Sequence, residues 1–193
     1  MVIDQEHQKK FELIWSKGDY RRGSTAQRLT DTFLLYIPPK ATINDYGSGT
    51  GRAEMEILQK RHDQKICMID IAKNALEPPA KALVERGILK FIHADLTDLG
   101  EVPHADWGLC INVLMTVQKS KLDIILKQIA NTCDNLFFEA YDLKDFRLGM
   151  DMTTVKLSKE EWNSLFLKYW NEVTFIQSKE SNHRYIFVCK GKR

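Results

Sequence analysis

Asp45, Gly47, Gly49 and Gly51 stand at alternate positions in Ile43-Asn44-Asp45-Tyr46-Gly47-Ser48-Gly49-Thr50-Gly51. Glycines so spaced let the backbone take positive φ and let a ligand approach main-chain N–H groups with no Cβ in the way. The stretch reads as the end of a strand, a loop, and a helix beginning near Arg52 whose positive end faces whatever the loop holds. Asp70 follows 19 residues after Gly51, closing the apolar run Lys65-Ile66-Cys67-Met68-Ile69. An acid at that distance is placed to accept hydrogen bonds from ribose hydroxyls. Each feature has a plainer reading: glycine turns occur without ligands, and a strand-terminal aspartate can simply cap the next helix.

The elements needed to hold these residues recur along the chain. Phe11, Leu13, Ile14 and Trp15 suit an amphipathic helix over Gln5–Ser16. A second helix, with Ser24 as its N-cap, runs through Leu29, Phe33 and Leu34 until Pro38-Pro39 stops it. Strands are expected at Thr42–Tyr46, Lys65–Asp70, Leu89–Ala94, Ala105–Ile111 and near Asn135–Ala140, with helices at Gly51–Lys60 and Leu122–Ala130. A helix over Asn74–Arg86 should break or restart at Pro78-Pro79. Ser158 and Glu161 form a near capping box for a helix carrying Trp162, Leu165, Phe166, Tyr169 and Trp170. Val173–Gln177 and Tyr185–Cys189 read as two closing strands.

Composition bounds the possibilities. With 193 residues, 44% hydrophobic and 28% charged, the chain suits a soluble globular domain. The net charge is +2, with scattered lysines and arginines, so neither nucleic acid nor an anionic membrane is an expected partner. No apolar run approaches the roughly 18–20 residues of a membrane span, and Met1–His7 has no signal-peptide profile, so a cytoplasmic location is expected. Cys67, Cys110, Cys133 and Cys189 lie far apart without a C-x-x-C, which argues against a disulfide framework or zinc.

The Asp-x-Gly-x-Gly-x-Gly pattern, matched at Asp45, Gly47, Gly49 and Gly51, resembles motif I of the class I S-adenosylmethionine (SAM)-dependent methyltransferases. A dinucleotide site would want G-x-G-x-x-G, and Arg52 stands where its third glycine belongs. The resemblance implies an α/β fold, a three-layer Rossmann-like sandwich. Its seven-stranded, mostly parallel sheet has order 3-2-1-4-5-7-6, with the last strand antiparallel and helices on both faces. It further implies one domain over 1–193, with 1–40 as a helical cap and 41–193 as the core. SAM is the implied cofactor and S-adenosylhomocysteine (SAH) the product. In the family, the acid at Asp70 binds the ribose, with Ser48 and Ile71 beside it. Asp95 holds the adenine amino group and Leu96 packs on the base. Asn112 and Val113 lie where the family's motif IV approaches the methyl, and Tyr20 and Arg21 lie where a leading segment covers the cofactor.

The acceptor is narrowed by residues the chain lacks. Amino-methylating DNA enzymes carry an Asp/Asn-Pro-Pro-aromatic motif where this chain has Asn112-Val113-Leu114-Met115, and no Pro-Cys dipeptide exists for C5-cytosine chemistry. The double-glutamate loop of protein arginine methyltransferases and the carboxylates of a catechol-type magnesium site are missing too, so no metal is expected. A small-molecule acceptor is the leading expectation, with protein or RNA as alternatives and DNA excluded. If the acceptor is a hydroxyl or ammonium, Glu139, Tyr141 and His183 are candidate general bases. A SAM-binding regulatory or scaffold subunit without turnover is the alternative reading. A nicotinamide oxidoreductase is disfavoured, because the only Tyr-x-x-x-Lys, Tyr36 to Lys40, spans Pro38-Pro39.

Overall fold

The computed structural model describes residues 3–16, 25–141, 155–177 and 184–193. Helices α1 (Gln5–Ser16) and α2 (Thr25–Leu34) precede β1 (Thr42–Tyr46), α3 (Arg52–Lys60), β2 (Lys65–Asp70), α4 (Pro78–Glu85), β3 (Lys90–His93) and β4 (Ala105–Ile111). Two short 3-10 turns, Leu114–Thr116 and Lys119–Lys121, lead into α5 (Leu122–Thr132) and β5 (Cys133–Tyr141). The chain closes with α6 (Lys159–Phe166), β6 (Trp170–Gln177) and β7 (Arg184–Lys192).

The strands form one seven-stranded sheet of order β3-β2-β1-β4-β5-β7-β6. Every pairing from β3 to β5 is parallel, and β7 runs antiparallel to both β5 and β6. From β1 the chain first winds outward through β2 and β3, then crosses to β4 on the other side. The carboxyl ends of β1 and β4 therefore flank a topological switch point, where open α/β sheets bind ligands. Register sets the neighbours there: Tyr46 lies beside Ile69, and Ile111 beside Glu139.

Strands buried on both faces need apolar residues pointing both ways, and these have them. One face carries Leu29, Phe33, Ile57 and Met68 from α2, α3 and β2. The other carries Ile125, Ile129, Trp162 and Phe166 from α5 and α6, packed on Phe138 and Phe187. Phe138 lies 4.8 Å from Trp162 and 4.9 Å from Phe166, ring centre to ring centre. This three-layer arrangement and strand order match the fold expected from motif I.

Two local expectations are corrected. Residues 74–77 are not helical; α4 starts at Pro78, with Glu77 as its N-cap. Proline is tolerated in the first turn because its missing N–H would have no partner there. Trp170 is not on the last helix but opens β6, paired with Lys192. The helix stops at Phe166, and the amide of Tyr169 turns back to donate to the Phe166 carbonyl at 2.9 Å. The capping box is present: Ser158 accepts from the Glu161 amide at 3.2 Å, and its own amide donates to the Glu161 carboxylate at 2.6 Å. Ser24 lies outside the described residues. All four cysteines are buried free thiols, and among the described residues no helix is long and apolar enough to cross a membrane.

Candidate functional site

The glycine loop is tied to the end of β2 by three hydrogen bonds. The amides of Gly47 and Ser48 both donate to the Ile69 carbonyl, at 2.8 and 3.1 Å. The Gly49 amide donates to Oδ2 of Asp70 at 2.8 Å. The other oxygen of Asp70 accepts from the Ala72 amide at 2.8 Å. Asp70 is thus a strap between loop and strand, with lone pairs left for a ligand hydroxyl. Burial raises its carboxyl above the usual range, and the Ala72 and Gly49 amides pull it back.

Each glycine answers to a different neighbour. Gly47 has φ +83°, and a Cβ there would stand 2.3 Å from Cγ2 of Val113. The loop and the end of β4 touch at that point. Gly49 faces the ring of Trp15 from α1, 3.2 Å from where a Cβ would be. Gly51 has φ +78° and packs on Ala80, whose Cβ would lie 2.5 Å from its own. What its missing side chain permits is the approach of α4.

Beneath the loop lie two further carboxyls, Asp45 at 4% exposed and Glu54 at 0%. Burial, then the charge of Glu54, pushes Asp45 well above the usual range, and burial likewise raises Glu54.

Asp95 follows β3 and is 5% exposed. One oxygen accepts from the Thr97 amide and hydroxyl at 2.9 and 2.8 Å, the other from the Asp4 amide at 3.2 Å. Leu96 is buried beside it. Asp4 also caps α1, accepting from the His7 amide at 3.1 Å, and pairs with Lys121 at 2.7 Å. The hydrogen bond from Lys121 holds the Asp4 carboxyl below its usual range, and burial lowers His7. Farther along, Asn74 donates to the Glu12 carbonyl at 2.9 Å. Helix α1 therefore crosses the site from Asp95 to Gly49, pinned at both ends. Ile71 is tied in through its carbonyl, 2.9 Å from Nε2 of His93. Tyr20 and Arg21 lie outside the described residues.

At the end of β4, Asn112 takes φ +58° and its amide donates to the Glu139 carbonyl at 3.2 Å. Its Oδ1 is buried and has no hydrogen-bond partner among the described residues, and the same is true of Ser48 Oγ in the glycine loop. Two orphaned polar atoms thus belong to the loop and to the strand end that touches it, which fits a polar ligand held at the switch point. Glu139 is 0% exposed, and its Oε1 accepts from Nη1 of Arg184 at 2.6 Å. The guanidinium also lies 5.5 Å from the ring centre of Tyr141. Glu139 is therefore held as an ion pair in the described structure. His183 lies outside the described residues. No group of three or more metal-ligating side chains gathers among the described residues.

Four contributors escaped the sequence reading: Asp4, Trp15, Glu54 and Arg184. Asp4 and Trp15 reach the site only through the way α1 docks, which local periodicity does not encode. Glu54 had a signal, an acid in the first turn of a helix just behind a glycine loop. Arg184 had only its place at the start of a closing strand.

No protein-family model matches the chain, and no curated protein matches it in sequence. Solved structures match its fold. A 1,6-didemethyltoxoflavin-N1-methyltransferase from Burkholderia thailandensis, with 1,6-didemethyltoxoflavin and SAH bound, superposes with TM-score 0.73 at 17% identity, over 100% of this chain and 91% of that one. The N-terminal domain of EvdMO1 with SAH bound gives 0.67 at 16% identity, over 90% and 84%. The magnesium protoporphyrin IX methyltransferase of Synechocystis, also with SAH, gives 0.62 at 14%, over 86% and 83%.

Proposed function

We propose that the chain is a SAM-dependent methyltransferase acting on a small-molecule acceptor by in-line displacement. One observation carries this reading: the strap from the Gly49 amide to Asp70, at the switch point of a methyltransferase-type sheet. When bound, SAM supplies a methyl on a sulfonium whose leaving group departs uncharged.

The chain's own residues position and enclose. Asp70 accepts from the ribose hydroxyls, Asp95 and Leu96 take the adenine edge, and Gly47 and Gly49 admit the methionyl end between Ser48 and Asn112. Val113, against Gly47, helps fix where the methyl lies. Helix α1 excludes water, which favours the transfer over side reactions. The acceptor enters past Asn112 and Tyr141. Because Arg184 already neutralises Glu139, the reading favours an acceptor that presents a lone pair without needing a strong base.

A second reading, a SAM-binding subunit without turnover, draws on α1 itself, which contacts Asp95 and Gly49. Calorimetric titration with SAM and SAH, with NADH as control, tests the binding step. Micromolar affinity for both sulfur ligands is expected, and binding of neither overturns the proposal. Transfer of labelled methyl to a panel of small acceptors then separates an enzyme from a binding subunit.

A further inference from the structure

Glu54 is an acid the methyl transfer does not use. It sits in the first turn of α3 at 0% exposed, and neither carboxylate oxygen receives a hydrogen bond from an N–H or hydroxyl donor among the described residues. What faces it is the carboxyl of Asp45 at the end of β1, 4% exposed. From β2, Asp70 faces both as a like charge, and from β4 Cys110 faces Asp45 as a thiol kept neutral by burial. The nearest arginine along the helix, Arg52, is taken by Glu77 at 2.5 and 2.9 Å. His93 acts on Asp70 rather than on the pair.

Two carboxyls buried together without a cation keep one proton between them. That proton is what a cationic ligand can displace. Among the described residues only the amino end of α3 offers partial positive charge, and it favours an ionised Glu54 once the proton leaves. The acidic pair is not itself a binding seat. The seat is the glycine loop, with the unpartnered Ser48 Oγ and Asn112 Oδ1.

We propose that Asp45 and Glu54 form a one-proton counter-charge under the glycine loop, which gives its proton to solvent when SAM docks and takes one back when SAH remains. The inference rests on the SAM reading above. SAM carries one net positive charge at neutral pH, from its sulfonium and ammonium against its carboxylate, whereas SAH carries none. In water that difference is weak at the distance of a buried pair, but in a low-dielectric site it is large. Glu54 thereby becomes a specificity residue: it makes the site prefer substrate over product increasingly as pH rises. Loss of the sulfonium charge on transfer returns the proton and loosens the product.

The test is calorimetry of the full chain with SAM and with SAH, each in phosphate and in Tris, from pH 6 to pH 9. The two buffers differ in ionisation enthalpy, so the observed heats count the protons released. SAM is expected to release up to one proton more than SAH. The ratio of the SAH Kd to the SAM Kd should climb by up to about tenfold per pH unit where the pair ionises. In Glu54→Gln both ligands still bind and the proton difference disappears. Equal proton counts for the two ligands in the wild-type chain overturn the proposal, and so does a difference that survives in Glu54→Gln. The wild-type comparison decides even if the variant does not fold. Binding by neither ligand is a separate outcome that removes the SAM reading and this inference with it.

Discussion

The amide of Gly49 donates to Oδ2 of Asp70 at 2.8 Å, the side-chain link that joins the glycine loop to the end of the neighbouring strand beside the two main-chain bonds to the Ile69 carbonyl. The loop is therefore shaped before any ligand arrives, and the residue that shapes it is the one expected to read the ribose. Preorganisation of this kind lowers the cost of ordering on binding.

Asp70→Ala tests both roles at once. It strands the Gly49 and Ala72 amides, and each unpaired buried donor costs about 1–3 kcal/mol. Urea unfolding should report that loss. Affinity for SAM should fall by a further 1–3 kcal/mol, about 5- to 150-fold, as the ribose hydroxyls lose their acceptor. Stability lost with affinity intact would make Asp70 a strap only.

Gly47 and Val113 form a pair that can be repacked. Gly47→Ala brings a Cβ to 2.3 Å from Val113 Cγ2 while the backbone stays at φ +83°. Overpacking and the positive φ together should cost about 2–4 kcal/mol. Adding Val113→Ala relieves the clash but not the dihedral, so rescue should be partial. A double-mutant cycle in urea measures it, and strict additivity would mean the two residues do not meet.

Asp4 holds the start of α1 by three links: its cap on His7, its amide on Asp95 and its ion pair with Lys121. Asp4→Ala removes the cap and the pair. The effect should be local, about 0.5–2 kcal/mol for a lost cap. Hydrogen exchange in residues 5–16 should accelerate while β1 and β4 stay protected, and equal acceleration throughout would show α1 to be part of the global unit.

Glu139 and Arg184 are buried at 0% and 5% side-chain exposure. Arg184→Met leaves a carboxylate with its guanidinium partner gone, a loss of about 3–5 kcal/mol when a buried pair is broken from one side. The double change Glu139→Gln with Arg184→Met should recover much of that. If the single variant is as stable as the double in a urea melt, Glu139 has other support.

The fold was legible because its signals are local and repeated. Trp107–Ile111 is an apolar run bounded by Asp106 and Asn112, and Ser158 with Glu161 marks a helix start in four letters. The glycine loop was legible because its dihedrals demand glycine. Trp170 was misplaced because aromatic residues four apart fit a helix stripe, and only the turn at residues 167–169 moves it onto a strand. Asp4 and Trp15 were invisible for a different reason. Their roles depend on long-range docking, 91 residues from Asp4 to Asp95, which no periodicity records. Glu54 was passed over because an acid in a first turn usually faces solvent and complements the helix dipole. Its burial shows only once β1 lies against α3.

That burial gives the last prediction, in the protein without ligand. Asp45 and Glu54 both ionise at higher pH folded than unfolded. Between the ordinary carboxylate range and the raised values, the native state keeps a proton the unfolded chain has lost. Stability therefore falls as pH rises through that window, by about 1.4 kcal/mol per pH unit for each proton retained. Glu54→Gln removes one acid and offers its amide as a donor to Asp45, so the retained proton is no longer needed. The variant should match the wild type near pH 4 and exceed it progressively toward pH 8 in urea midpoints. Parallel pH profiles for the two proteins would mean that Asp45 and Glu54 do not share a proton.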